Sequence, residues 1–185
     1  MESQTLGSYQ GIPCHHWDDE LPLISAILRA ARPHLIIEVG TMYGGFAAYL
    51  ADVVVEWNGI VMTIDHVMYD GLEKVCAPRK NLFFVRGDVF NNFVMSLVVA
   101  ELAAYDHVNA TTMLYCDGGA KRQELFLLGH LASIVGVHDY ATEVSPEDCE
   151  TWRAQHNLVP VEEAKFAALQ ERLGGYFVSR FWARP

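Results

Sequence analysis

Five acidic residues, Glu38, Asp65, Asp88, Asp117 and Asp139, each stand at or beside the end of a short apolar run. A carboxylate at such a place can accept hydrogen bonds from hydroxyl or amino groups of a ligand. Asp65 closes Ile60-Val61-Met62-Thr63-Ile64 and suits a pair of ribose hydroxyls. Asp88 follows Gly87 after a third apolar run and can accept from an adenine amino group. For both, a helix N-cap or a solvated turn is the alternative.

The first of these runs, Leu35-Ile36-Ile37-Glu38-Val39, passes into Gly40-Thr41-Met42-Tyr43-Gly44-Gly45. Glycines after a buried strand let a ligand approach the backbone closely and open a helix whose N–H groups point outward. The spacing is GxxxGG, neither GxGxxG nor a glycine loop followed by Gly-Lys-Ser/Thr, so a nucleoside triphosphate loop is unsupported. Asp65 lies 27 positions after Glu38, somewhat long for a dinucleotide fingerprint.

The elements that must position these groups alternate. Residues 1–17 read as an irregular lead-in. Asp18 or Asp19 caps a helix whose buried face is Leu21, Ile24, Ile27, Leu28 and Ala31, stopped by Pro33. Strands follow at Leu35–Val39, Ile60–Asp65, Asn81–Val85, Thr112–Cys116 and Ile134–Val137. Between them come helices from Gly45 through Ala51, from Asn91 to Tyr105 (Phe93, Val94, Leu97, Val98 and Leu102 on one side), and through Leu125, Leu128 and Leu131. Ser145-Pro146 starts another helix, a further one covers Glu162 to Leu173, and Tyr176–Trp182 reads as a late strand at or near a sheet edge. This rhythm predicts an α/β fold, a Rossmann-like, doubly wound, mainly parallel sheet with helices on both faces, in one domain over residues 1–185. In such sheets ligands bind beyond the carboxyl ends of the strands, where all five acids are.

Thirteen Lys and Arg against 23 Asp and Glu give a formal charge of −10, which disfavours nucleic acid as a partner. The four cysteines form no CxxC pair, no secretory signal is visible, and no apolar stretch reaches membrane-span length, so a cytoplasmic protein without a membrane partner is expected.

The segments Pro33 to Gly45, Thr63-Ile64-Asp65, Arg86-Gly87-Asp88, Tyr115-Cys116-Asp117-Gly118 and Val137-His138-Asp139-Tyr140 together resemble class I S-adenosylmethionine-dependent methyltransferases. Within that group the chain is most similar to the small-molecule O-methyltransferases of the macrocin and cephalosporin-hydroxylase-like branch, over roughly residues 11–140. The resemblance implies S-adenosylmethionine as cofactor. Glu38 and Gly40 would border its methionine portion, Thr41, Tyr43, Gly44 and Gly45 would form the loop around it, Asp65 would hold the ribose, Asp88 the adenine edge, and Asp117 would complete the cofactor wall. The chain departs from its relatives in lacking a histidine shortly after Asp117-Gly118, and in carrying Phe46 where a small hydroxylic residue is common.

Methyl transfer to oxygen needs an aligned acceptor and a route for its proton. Asp117 and Asp139 can together ligate Mg²⁺, which would lower the pKa of the acceptor hydroxyl, while His138 can act as general base. The alternatives are that Asp117 caps the next helix and His138 bonds a loop carbonyl. His15, His16, Trp17 and His66 are read as surface or loop residues, with lining of the acceptor pocket as the other reading. The expected activity is O-methylation of a small hydroxylated molecule of sugar or natural-product type. The competing readings are a non-catalytic S-adenosylmethionine-binding protein and a nicotinamide oxidoreductase, the latter opposed by the GxxxGG spacing. The short segments available as lids imply an acceptor pocket left open or completed by a second copy in a homo-oligomer.

Overall fold

The computed structural model describes residues 7–175 and 178–185. In chain order the elements are β1 (Ser8–Tyr9), β2 (Ile12–Pro13), α1 (Leu21–Ala31), β3 (Leu35–Val39), α2 (Gly45–Val54), β4 (Ile60–Asp65), α3 (Leu72–Cys76) and β5 (Leu82–Arg86). They continue with α4 (Asn92–His107), β6 (Thr112–Cys116), α5 (Lys121–Leu128), β7 (Ile134–Val137), α6 (Pro146–Gln155), β8 (Val159–Val161), α7 (Glu163–Arg172) and β9 (Arg180–Ala183). Seven strands form one sheet in the order β5-β4-β3-β6-β7-β9-β8. β5, β4, β3, β6 and β7 are parallel, and β9 runs antiparallel to both β7 and β8. This is the expected doubly wound, mainly parallel α/β sheet.

The apolar runs become strands because both faces of the sheet are covered. Every residue of β3 and β6 is buried. Ile36 packs on one side with Ile24, Leu28 and Leu50 of α1 and α2, and with Phe166 of α7. Leu35, Ile37 and Val39 face the other side, with Val98 of α4, Leu125 of α5 and Trp152 of α6. Strands buried on both faces need continuous apolar sequence rather than alternation.

Several local expectations are corrected. The lead-in contains a small hairpin, with Ser8 opposite Pro13 and Tyr9 opposite Ile12. Neither Asp18 nor Asp19 caps α1: the N-cap position is Glu20, which makes no side-chain cap bond. Phe93 is exposed rather than on the buried face of α4, which presents Val94, Val98 and Leu102 inward. The late strand begins at Arg180 rather than Tyr176 and lies near a sheet edge as expected, next to the edge strand β8, while Tyr176 and Phe177 fall outside the described residues. Ser145 caps α6 as expected, accepting from the Asp148 N–H at 3.0 Å. No helix among the described residues is long and apolar enough to cross a membrane.

Gly136 sits where β7 meets β9. A Cβ there would stand 2.5 Å from both Phe181 Cε1 and Tyr115 Cδ2, two buried rings. Gly136→Ala is therefore expected to lower stability by about 1–3 kcal/mol, the usual cost of overpacking a filled core. Urea unfolding of both proteins measures it, and an unchanged midpoint would contradict this packing.

Candidate active site

The strand order reverses at β3, which has β4 on one side and β6 on the other. Hydrogen bonds continue past the strand ends. Gly40 N donates to Ile64 O at 2.8 Å, Asp117 N to Val39 O at 2.9 Å, and His138 N to Cys116 O at 3.1 Å. These bonds set the loops after β3, β4, β6 and β7 around one cavity of about 860 Å³. Glu38, Gly40, Thr41, Gly45, Asp65, Asp88, Asp117, His138 and Asp139 all line it. Tyr43 and Gly44 do not belong to this wall. Tyr43 is exposed and lies against Tyr69, and Gly44 starts α2 at φ +81° facing Leu72.

Glu38 is fully buried. Thr63 Oγ1 donates to its Oε2, and its Oε1 has no partner. Burial pushes its carboxyl well above the ordinary range; the Thr63 bond opposes this, and the Asp117 and Asp65 charges add to it. Asp65 accepts the N–H of Met42 at 3.0 Å and of Val67 at 2.9 Å, so it also fixes the loops on either side. Asp88 accepts the Phe90 N–H at 2.9 Å.

The opposite end of the cavity holds a denser cluster. His138 is buried, with Nδ1 3.0 Å from Asp117 Oδ1 and 3.3 Å from Asp139 Oδ1. Burial disfavours its charged form, but Asp117, Asp139 and Glu20 outweigh burial and raise the imidazole well above its ordinary value. Burial likewise opposes the charge on Asp117, yet His138 and His16 hold its carboxyl far below the usual range. His138 thus stands between two carboxylates.

Asp117 and Asp139 are not an open pair either. Lys121, the first residue of α5 and itself buried, places Nζ 2.8 Å from Asp139 Oδ2, 2.7 Å from Glu143 Oε2 and 3.7 Å from Asp117 Oδ1, while donating to Gly118 O at 3.0 Å. Burial disfavours its charge, and the three carboxylates more than compensate, so its pKa is raised.

Sequence reasoning missed Glu20 and Lys121, and of the two readings of His16, a surface or loop residue and a pocket residue, the structure bears out the second. His16 is 1% exposed, lines the cavity, stacks on Phe46 with ring centroids 3.8 Å apart, and reaches within 3.4 Å of Asp117 Oδ2 through Nε2. Its Nδ1 lies 3.2 Å from Oε2 of Glu20, a fully buried carboxylate whose Oε1 accepts the Ser179 N–H. Burial opposes the Glu20 charge, but His16, His138 and Ser179 outweigh it and lower its pKa. The i,i+4 spacing of His16 and Glu20, and of Asp117 and Lys121, was the available signal. His15 also lines the cavity, as does His66, whose side chain is 78% exposed. Trp17 does not line it, but packs half-buried against the core.

The strand order, with acids and a glycine turn converging at its reversal, defines a class I methyltransferase fold. The chain belongs to the rhamnosyl O-methyltransferase/CmcI family, whose model matches residues 3–108, and it is accordingly an S-adenosylmethionine-dependent methyltransferase. No curated protein matches it. Among solved structures, a CmcI structure described as Mg-SAM is 16% identical with a TM-score of 0.59, over 95% of this chain and 76% of that one. A CmcI apo-structure is 14% identical with a TM-score of 0.59, over 97% and 76%. A putative O-methyltransferase from Klebsiella pneumoniae is 10% identical with a TM-score of 0.53, over 95% and 84%. At these identities the structural likeness speaks for the fold alone.

Below the cluster, Glu124 accepts the Gly118 and Ala120 N–H groups, both at 3.3 Å. Burial is the main cause raising its carboxyl from 4.5 to about 7, against the two backbone bonds. An unfolded glutamate releases its proton near 4.5 and the folded one near 7, so between these values the folded chain binds more protons. Its contribution to stability is present below pH 4.5 and is lost as pH rises through 7. Glu124→Gln is expected to remove about 3 kcal/mol of that decline, at 1.36 kcal/mol per pKa unit. Unfolding free energies of both proteins at pH 4.5 and 8 test this, and parallel pH profiles would contradict it.

Proposed function

We propose that this cavity binds S-adenosylmethionine along the ends of β3, β4 and β5 and methylates an oxygen of a small hydroxylated acceptor held at the ends of β6 and β7. The observation that carries the reading is the unpartnered Oε1 of fully buried Glu38, in a cavity also walled by Asp65, Asp88 and Asp117. A buried carboxyl without a partner is costly, and a cofactor bearing an ammonium and a sulfonium is the kind of ligand that satisfies it.

In this reading Glu38 and Gly40 border the methionine portion, and Thr41 and Gly45 form the adjoining wall. Tyr43 and Gly44 shape the turn from behind it. Asp65 holds the ribose hydroxyls, with lone pairs to spare beyond its two backbone bonds. Asp88 faces the adenine edge, and Asp117 separates cofactor from acceptor. When bound, S-adenosylmethionine supplies its methyl group to the acceptor oxygen, the carbon–sulfur bond breaking with its electron pair left on sulfur. Asp117, His138 and Asp139 orient the acceptor hydroxyl, and as its oxygen takes the methyl group its proton passes to a carboxylate oxygen of Asp117 or Asp139.

A magnesium ion shared by Asp117 and Asp139 does not fit these residues. The Lys121 ammonium already lies between the two carboxylates, and the remaining neighbour is an imidazole, whereas Mg²⁺ requires an octahedron of oxygens. The formal charge of −10 favours a neutral or cationic small molecule over nucleic acid. The free cysteines Cys14, Cys76, Cys116 and Cys149 agree with a cytoplasmic location.

Calorimetric titration with S-adenosylmethionine, S-adenosylhomocysteine and NAD tests the cofactor assignment. Both sulfur nucleotides are expected to bind and NAD is not. Glu38→Gln is expected to weaken S-adenosylmethionine binding by about tenfold to a hundredfold, as loss of one charge-assisted bond does. NAD binding with no response to either sulfur nucleotide would overturn the proposal.

A further inference from the structure

Two imidazoles, His16 and His138, face each other at the acceptor end with ring centroids 4.2 Å apart. His16 Nε2 and His138 Nδ1 both turn to Asp117, at 3.4 and 3.0 Å from its two carboxylate oxygens. His16, Asp117 and His138 each offer a ligand atom, and these atoms all lie within 4.8 Å of one another. Their other nitrogens turn to one acid: His16 Nδ1 lies 3.2 Å and His138 Nε2 3.9 Å from Glu20 Oε2. Both histidines and Glu20 are buried, and His16 Nε2 has no hydrogen-bond partner.

This is the arrangement of a metal centre with its outer carboxylate. Histidines that ligate a metal characteristically donate their second N–H to a carboxylate, which fixes tautomer and ring orientation. Glu20 stands within hydrogen-bond distance of His16 Nδ1, with His138 Nε2 farther off at 3.9 Å. We propose that His16 Nε2, His138 Nδ1 and an Asp117 oxygen form a binding site for one divalent transition-metal ion of Zn²⁺ or Co²⁺ type, with its open positions facing the cavity. Two nitrogens and one oxygen suit such ions and are a poor set for Mg²⁺. Lys121 has its closest contacts at Asp139 and Glu143 and lies 3.7 Å from Asp117 Oδ1, whereas His16 Nε2 turns to the other oxygen, Asp117 Oδ2. Phe46 closes one side of the site by stacking on His16, so the departure from a small hydroxylic residue at this position braces the imidazole.

The site shares a cavity with the proposed methyl transfer and rests on that reading for its use, but the test does not involve methyl transfer. Metal-free chain without an affinity tag is titrated with Co²⁺, Zn²⁺ and Mg²⁺, following heat and the visible absorption of Co²⁺. The expected result is one tight equivalent of Co²⁺ or Zn²⁺, with nitrogen- and oxygen-ligand absorption and no comparable response to Mg²⁺. His16→Ala and His138→Ala are each expected to weaken Co²⁺ binding at least tenfold, and Glu20→Gln by about tenfold as an outer partner, whereas His15→Ala and His66→Ala leave it unchanged. S-adenosylhomocysteine binding, measured on each variant, reports whether the cavity is intact and separates failure of the metal site from failure of the cofactor reading. Absence of specific Co²⁺ and Zn²⁺ binding by the parent chain overturns the proposal whatever the variants do. So does an intense sulfur-to-cobalt band, which would put the ion on cysteines, or Mg²⁺ binding of equal strength.

Discussion

At Gly40 the loop leaving β3 touches the loop leaving β6, and a Cβ on residue 40 would stand 2.3 Å from the Asp117 carbonyl oxygen. The residue also holds φ at +97°, a conformation that side chains rarely allow. Its N–H still bonds to Ile64 O, so the turn is pinned to β4 while it yields room to β6. Glu38 lies two residues before this contact and Asp117 is the contact itself, so the cofactor end and the acceptor end of the cavity share one wall. A second close approach completes it. At Gly45 a Cβ would meet Pro13 O at 2.2 Å, which is how the segment carrying His15 and His16 lies over the start of α2.

The charges in that cavity are balanced locally. Asp139 and Glu143 hold Lys121, Asp117 and Asp139 hold His138, and Glu20 backs both imidazoles. Among the described residues Glu38 has one threonine hydroxyl, Asp88 a backbone N–H, and Asp65 two backbone N–H groups beside the exposed imidazole of His66, whose Nδ1 lies 3.4 Å away. The unbalanced acids therefore lie on the β3–β5 side, where a cationic cofactor would be drawn, and the balanced cluster lies on the β6–β7 side. One fold thus offers a site for charge recognition beside a site for orienting an acceptor.

The parallel strands were legible because burial on both faces demands uninterrupted apolar runs, and Ile60–Asp65 or Thr112–Cys116 can hardly be read otherwise. β8 was not: Val159-Pro160-Val161 is three residues long, contains a proline, and is tolerated only because it lies at the edge. The first hairpin turns through Gln10 and Gly11, both at positive φ, and glutamine in place of the usual asparagine hid it. Strand-end acids could be found by position alone, since topology brings all strand ends to one side. His16 and Lys121 could not. Their importance depends on a loop folding back over α2 and on a helix starting four residues past Asp117, which are facts of three-dimensional packing.

The most direct measurement of the central claim, that one acid-walled cavity at the β3 turn holds the cofactor, is a crystal structure of the chain with S-adenosylhomocysteine. The account predicts the nucleoside against Asp65 and Asp88, the amino-acid portion at Glu38 and Gly40, and the sulfur turned toward Asp117 and His138. A nucleoside bound elsewhere, or one whose amino-acid portion leaves Glu38 Oε1 unpartnered, would contradict it.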